Sequence, residues 1–156
     1  MTLKPANYKY LRNEGTSLKE IGPVYADIEL LSFEDVVLNQ HGHLPQTDIR
    51  RIKMKALVNS DAFELIISSE IKERLDLRVI EERTVVLPDE SLGQVEIVGP
   101  IEIRFENQIT FVRAMVLPNT EEVLLGRFPR MGLHTFVDPE TKQLLVMPYV
   151  PIKKIA

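Results

Sequence analysis

The most informative segment of the sequence runs from Lys55 to Ala62 and reads Lys-Ala-Leu-Val-Asn-Ser-Asp-Ala. Residues 49–58 alternate in large part between apolar and charged side chains, which predicts a strand with one buried face. Asn59, Ser60 and Asp61 then interrupt the apolar pattern, and all three are residue types that favour turns. Residues 62–67 are again largely apolar and predict a short strand. We therefore expect a polar loop between two buried strands.

The residues before this stretch predict one strand and one exposed loop. Residues 24–31 alternate in part and predict a strand that begins after the break at Gly22-Pro23. A short apolar run at 36–38 leads into a loop at 39–46, which is rich in turn residues. His41 and His43 in this loop have no predictable third ligand, so we expect solvated histidines and no metal site.

The residues after the Asn59 loop predict a helix and then several short strands. Ser68 or Ser69 is expected to cap a helix that ends near Leu75 or Leu77. Residues 83–87 and 94–98 predict a hairpin with a loose tip, which Gly99-Pro100 is expected to end. The remaining predicted elements are strands at 101–106, 109–117 and 123–125, a turn at Asn107-Gln108, a short helix to about Leu133, and a hairpin of 134–137 and 144–147.

This pattern predicts a mainly β fold, either a small closed barrel or a sandwich, with one or two short helices. The chain has 156 residues and a mass of 17.9 kDa, which suits one domain. We expect that domain to span residues 23–148. An N-terminal arm (1–22) and a C-terminal tail (149–156) would flank it.

Composition argues against several classes of protein. The 19 basic and 23 acidic residues give a net charge of −4, which disfavours a nucleic-acid-binding protein. The chain has no cysteine, so disulfides, thiolate nucleophiles and cysteine-ligated zinc are excluded. No apolar run approaches the ~20 residues of a membrane helix, and residues 1–15 lack the apolar centre of a secretory signal. We expect a cytoplasmic protein that uses no cofactor.

The order of these elements, together with two short motifs, resembles the retropepsin-like aspartic peptidases, in particular bacterial single-domain members that pair as homodimers. In that family an apolar pair precedes Asp-Thr/Ser-Gly-Ala, and residues 55–62 resemble this motif. Residues 122–126, Glu-Val-Leu-Leu-Gly, resemble the second motif, an apolar pair and a glycine before a short helix. The predicted hairpin at 84–98 occupies the position of the family's flap. The resemblance covers about residues 24–147 and implies a closed barrel of the acid-protease type.

The sequence departs from the family at the catalytic position. The family's catalytic Asp aligns with Asn59 and its Gly with Asp61, whereas Ser60 and Ala62 match. In the family two carboxylates share one proton, so that one activates water while the other hydrogen-bonds the scissile carbonyl. An amide does not titrate usefully, and in a homodimer one replacement removes both carboxylates. The resemblance therefore implies a retained cleft without its general base.

The three loop residues each leave an alternative open. The Ser60 hydroxyl either locks two loops together across a dimer axis, as in the family, or is an ordinary turn serine. Asp61 is either a substitute acid with a raised pKa or the occupant of a tight turn, since Asp tolerates such turns. Asn59 precedes the small Ser60, and its deamidation would regenerate an aspartate.

The resemblance also implies residues that line a cleft. They come from the loop, the flap tip and the second motif: Ala62, Pro88, Asp89, Leu92, Gly93, Leu124, Leu125, Gly126 and Arg127. In the family an arginine near the second motif often supports the active loop through an ion pair, which makes Arg127 the candidate here. From the residues alone, Arg127 and Arg130 are more simply explained by a solvated or dimer-contacting helix.

The function we expect from the sequence is therefore non-catalytic: a homodimer that binds an extended peptide or protein segment in its cleft by strand addition. One alternative is an active aspartic endopeptidase that uses Asp61 or a deamidated Asn59. Another is a structural assembly module with a closed cleft. Neither nucleic acid nor a membrane is an expected partner.

Overall fold

The computed structural model describes residues 21–87 and 89–148, and in this part of the chain the fold is mainly β, as predicted. The strands are β1 (Tyr25–Ser32), β2 (Arg51–Val58), β3 (Leu65–Ile67), β4 (Arg78–Val86), β5 (Leu92–Phe105), β6 (Gln108–Val116), β7 (Val123–Leu125), β8 (Thr135–Asp138) and β9 (Gln143–Val146). The helices are α1 (Phe33–Gln40), α2 (Ser69–Arg74) and α3 (Arg127–Gly132), with a short 3₁₀ turn at Gln46–Asp48. The proposed arm, apart from its last two residues, and the proposed tail lie outside the described residues.

Six strands close into a barrel with mixed strand directions, which confirms the small closed barrel. Their order is β1-β2-β7-β3-β6-β5, and β1 also pairs with β5 to close the ring. The β2–β7 and β3–β6 pairs are parallel, whereas the other neighbours are antiparallel. Apolar side chains from alternating positions fill the interior, because each strand buries one face. Leu30, Leu65, Ile103 and Leu125 are among the fully buried ones.

The short strand β7 lies between the two strands that flank the Asn59 loop. It runs parallel to β2, with Leu125 beside Val58, and antiparallel to β3, with Leu125 also beside Leu65. The main-chain amide of Asn59 donates to the Leu125 carbonyl at 3.1 Å. A segment from late in the chain therefore fixes both ends of the loop.

The pairing of β4 with β5 confirms the predicted long hairpin. Its turn closes through two main-chain bonds of 2.8 Å, from Leu87 to the Ser91 carbonyl and from Glu90 to the Leu87 carbonyl. Pro88 in this turn lies outside the described residues. Among the described residues β4 pairs with β5 alone, so its other edge has no strand beside it.

Two local predictions are wrong, and one helix was not predicted. Strand β5 continues through Gly99-Pro100, where a shift in its register with β6 absorbs the irregularity and Gly99 takes a φ of 141° that favours glycine. The turn between β5 and β6 comprises Glu106 and Asn107, one position earlier than predicted, and Glu106 has a left-handed φ of 53°. The helix that was not predicted is α1, which Ser32 caps by accepting from the Asp35 amide.

The two predicted helices are confirmed. Ser68 caps α2 by accepting a hydrogen bond from the Ile71 amide at 3.2 Å, so Ser69 is the first helical residue. Helix α3 begins directly after Gly126. None of the described helices is long and apolar enough to cross a membrane.

Candidate functional site

The loop at 59–64 is built around the side chain of Asn59. Asn59 Oδ1 accepts hydrogen bonds from the main-chain amides of Asp61 at 2.7 Å and Ala62 at 3.1 Å. Such side-chain-to-amide bonds are a local structure that Asn and Asp share. An aspartate at position 59 would accept the same two bonds, so the exchange of Asp for Asn is compatible with this loop. Half-buried Ser60 lies at the loop's second position.

A buried cation holds the loop from beneath. Arg130 Nε donates to the Gly126 carbonyl at 3.1 Å, and its Nη2 donates to the Asn59 carbonyl at 3.4 Å. The residue is only 3% exposed. This burial lowers the pKa of Arg130 to about 10, so the guanidinium still keeps its proton at neutral pH.

Helix α3 thus differs from the sequence expectation at one of its two arginines. The expectation of a solvated helix is wrong for Arg130, which its helix turns inward with Pro129 and Leu133. Arg127 is exposed, and its guanidinium carbon lies 5.5 Å from the centre of the Phe63 ring. The arginine that contacts the loop's main chain is therefore Arg130, three residues after the position that the resemblance indicates.

Gly126 lets the second motif touch the loop. A Cβ atom at Gly126 would overlap the Glu64 carbonyl oxygen and would lie 2.8 Å from that of Ala62. The next two amides, of Arg127 and Phe128, donate to the carbonyls of Ala62 at 2.9 Å and Phe63 at 2.7 Å. Only glycine permits so close an approach of two backbones.

A cavity of about 760 Å³ lies between this loop and the hairpin. This volume falls in the range typical of pockets that bind small ligands. Most of the wall is apolar, and Asn59 and Asp61 bring polar atoms to it. The other lining residues are Ala62, Phe63, Glu64, Ile66, Arg83, Val85, Val86, Leu87, Met115, Leu117, Leu124 and Phe128.

An ion pair in the cavity wall joins the hairpin to the loop. Arg83 Nη1, on β4, donates to Glu64 Oε1 at 3.3 Å, and Arg83 Nη2 bonds Glu81. The second oxygen of the Glu64 carboxylate is buried without a hydrogen-bond partner among the described residues. A buried carboxylate oxygen of this kind is costly, and the nearby guanidinium partly offsets the cost.

The structure brings together some of the predicted cleft residues and separates others. Ala62 and Leu124 line the cavity with Asn59 and Asp61, whereas the Leu125 side chain is fully buried in the core. The three described flap-tip residues, Asp89, Leu92 and Gly93, do not line this cavity.

Asp89 instead serves the turn of the hairpin. Its carboxylate accepts bonds from the Ser91 hydroxyl and amide, and these bonds lower the pKa of Asp89. The predicted site residue Pro88 lies outside the described residues, so its position in the cleft stays a prediction.

Sequence reasoning missed several residues of the site. Phe63, Glu64, Arg83 and Phe128 line the cavity, and Arg130 supports it. The signal for Phe63 was its position directly after the first motif, and for Phe128 its position two residues after the glycine of the second. Nothing local in the sequence marks Glu64 and Arg83 as partners, because their pairing depends on the return of β4 across the loop.

The cavity wall presents apolar side chains, the amide of Asn59 and the charged side chains of Asp61, Glu64 and Arg83. Among the described residues, no cluster of three or more His, Asp or Glu side chains could hold a metal ion. Neither the family models nor the curated proteins include a match to this chain.

Proposed function

We propose that this chain is a retropepsin-like aspartic-peptidase homologue that lacks the catalytic carboxylate and, as a homodimer, binds an extended peptide segment. One observation carries the proposal. Strand β7 inserts between β2 and β3 and sets Gly126 against the loop that bears Asn59. The two motifs of the resemblance, far apart in sequence, thereby meet at the edge of one cavity.

The loop geometry supports binding without cleavage. A general base must take up and release a proton near the working pH, and a neutral amide does neither. The Asn59 oxygen is also already occupied by two main-chain amides. Asn59 therefore keeps the shape of the loop without supplying the chemistry of a carboxylate dyad.

Two features of the hairpin support an extended peptide as the ligand. The β4 edge that faces away from β5 is unpaired among the described residues, and such an edge accepts an added strand. At the end of β4, Val85 and Val86 line the apolar cavity together with Leu87. Main-chain bonds to the edge would supply affinity, and apolar contacts in the cavity would select side chains.

Exposed aromatic residues support the homodimer. Phe63 is 57% exposed and Phe128 is 55% exposed, with ring centres 5.7 Å apart. Met131, on the same helix as Phe128, is 60% exposed. Neighbouring exposed apolar side chains of this size mark interaction surfaces. We assign them to a second copy, which would also bring a second Ser60 loop to the axis.

The proposal is tested by sedimentation velocity, by peptide binding and by a peptidase screen from pH 3 to 8. We expect a dimer that binds capped apolar hexapeptides and leaves them intact. Phe63→Asp should weaken both dimer and binding. Leu38→Asp, at an exposed apolar residue of α1 that does not line the cavity, should change neither. A monomer that binds no peptide would refute the proposal.

One observation favours a second candidate, an active aspartic endopeptidase. The carboxylate of Asp61 is exposed in the same cavity, two residues from Asn59. If this candidate is right, the screen will find peptide cleavage that Asp61→Ala abolishes. Peptide mapping of an active sample would show whether residue 59 is Asn or its deamidated product.

A further inference from the structure

We infer that the side-chain amide of Asn59 is a hydrogen-bond donor to the ligand and that it takes a neutral carbonyl oxygen of the bound peptide. This inference rests on the proposed function and adds the chemistry of the central contact. In the proposed dimer, two Asn59 amides that only donate hydrogen bonds would occupy the positions at which the family has two titrating carboxylates.

The orientation of the amide follows from its bonds. An amide oxygen has two lone pairs, and in Asn59 both are used by the amides of Asp61 and Ala62. The nitrogen Nδ2 therefore lies on the other side of the group with two N–H donors. No acceptor among the described residues bonds it, and Asn59 is part of the cavity wall. The Asn59 side chain therefore presents only hydrogen-bond donors to the cavity.

A side chain that presents only hydrogen-bond donors selects ligand groups that can accept a hydrogen bond. An ammonium group has no lone pair and cannot accept such a bond, whereas a carbonyl oxygen accepts two. A carboxylate would also accept, but the cavity wall carries the carboxylates of Asp61 and Glu64, and its guanidinium, Arg83, is already paired with Glu64, so an anion is disfavoured. A neutral main-chain carbonyl satisfies both conditions.

The proposed dimer gives a second reason why the ligand must supply a hydrogen-bond acceptor. Two Nδ2 groups that face each other across an axis cannot bond one another, because each offers hydrogens and no lone pair. A ligand oxygen placed between them would receive a donor from each subunit. The same contact would be insensitive to pH, since the amide does not titrate.

The test uses acetyl-Thr-Val-Leu-Phe-Val-Thr-amide and two series of analogues. In one series each peptide bond in turn is replaced by a trans-alkene, which removes the carbonyl together with the N–H, and in the other by an ester, which removes the N–H and keeps a carbonyl. With the natural chain we expect the alkene to bind about tenfold more weakly than the ester at the bond whose carbonyl Asn59 contacts, the loss of one hydrogen bond from a desolvated donor. Parent affinity should be constant from pH 6 to 8, and affinities at lower pH are compared with those of wild type at the same pH.

Asn59→Asp is the decisive variant, because it keeps both loop bonds and replaces only the donor. At pH 7 its carboxylate should weaken parent binding about tenfold, and affinity should return as the pH falls and the carboxyl gains a proton. The analogue that lacks the contacted carbonyl should bind both proteins equally. Mass spectrometry checks that the peptides stay intact.

The remaining outcomes distinguish failure of the proposed function from failure of this inference. If the folded protein binds none of these peptides, the proposed function fails and the inference fails with it. If the parent binds but Asn59→Asp changes neither its affinity nor that of any analogue, the inference alone fails. If only an uncapped peptide binds, a terminal carboxylate is the ligand group, and the assignment to a neutral carbonyl is wrong.

Discussion

Arg130 donates a hydrogen bond from its guanidinium to the main-chain carbonyl of Asn59, 71 positions earlier in the chain, at 3.4 Å. The same guanidinium donates to the Gly126 carbonyl. One buried cation therefore joins the two motifs through their backbones. Because neither bond involves the side chain at position 59, the support is independent of whether that residue is Asn or Asp.

Replacing this cation should destabilise the protein more than replacing its exposed neighbour. Arg130→Met removes the guanidinium donor from two main-chain carbonyls, so the free energy of unfolding should fall by about 1–3 kcal/mol. Arg127→Met, in the same helix, should lower it by less than about 1 kcal/mol, since only an exposed contact with Phe63 is lost. Urea denaturation of both variants measures the difference. Equal effects would show that Arg130 does not hold the loop.

The lowered pKa of Arg130 predicts how the stability difference between wild type and Arg130→Met depends on pH. Burial lowers the pKa of Arg130 from its ordinary value to about 10, so below pH 9 the guanidinium is protonated in both the folded and the unfolded state. The stability difference between wild type and Arg130→Met should therefore be constant from pH 5 to 9. Above pH 10 the unfolded state binds more protons, so wild type should gain stability relative to the variant. A slope between pH 5 and 9 would contradict this assignment.

Gly126 should be far less tolerant of a methyl group than Gly93. In Gly126→Ala the new Cβ meets main-chain atoms of Glu64 and Ala62, which cannot move aside without displacing the loop. We expect a loss of about 1–3 kcal/mol or more in the free energy of unfolding. In Gly93→Ala the Cβ meets only the Leu87 side chain, which can rotate away. Thermal denaturation compares the two, and similar melting temperatures would contradict the close approach.

The strand pattern was predictable because the alternation of apolar residues reports which face of a strand is buried. Residues 49–58 show this directly as β2, whereas β7 was indicated by a short continuous apolar run at 123–125 that ends at Gly126. Local signals failed where a residue's partner is distant in sequence. Asp35, in the first turn of α1, accepts from both the amide and the guanidinium of Arg50, a contact that no local pattern marks.

In the candidate site, the Asn59 loop was predictable from the sequence, whereas the contacts made by more distant residues were not. The motif around Asn59 identified the loop, because its residues are contiguous. Arg130 was expected to be solvated since a charged residue on a short helix usually is. Its burial depends on the packing of α3 against a loop 71 positions away. The contact between Glu64 and Arg83 likewise forms only in the tertiary fold.

The ion pair of Glu64 and Arg83 should be energetically coupled. The Glu64 side chain is 15% exposed and that of Arg83 is 36% exposed, so solvent screens the pair only in part. A double-mutant cycle with Glu64→Gln and Arg83→Met should give a coupling of about 1 kcal/mol. The exposed pair of Lys55 and Asp27 is the matched control, and its cycle should give less than about 0.5 kcal/mol. Equal couplings would mean that the hairpin is not tied to the loop here.

Restoring the family's motif should restore peptide cleavage if the scaffold is that of an aspartic peptidase. Asn59→Asp supplies the carboxylate and preserves the two bonds from the loop amides. Asp61→Gly removes an exposed side chain from the cavity, and position 61 has no left-handed φ that would make the change depend on glycine. The double variant should therefore fold as the wild type does.

Cleavage by the double variant should have a bell-shaped pH profile in the acid range, because one carboxyl of the pair must be protonated and the other ionised. The matched control is Asp61→Gly alone, which opens the cavity in the same way and should stay inert. Fluorogenic peptides report the rate, and sedimentation shows whether each variant still dimerises. A double variant that folds and dimerises but cleaves nothing would mean that the two carboxylates introduced at position 59 do not meet across the axis, and the assignment of this loop to a former catalytic dyad would then be wrong.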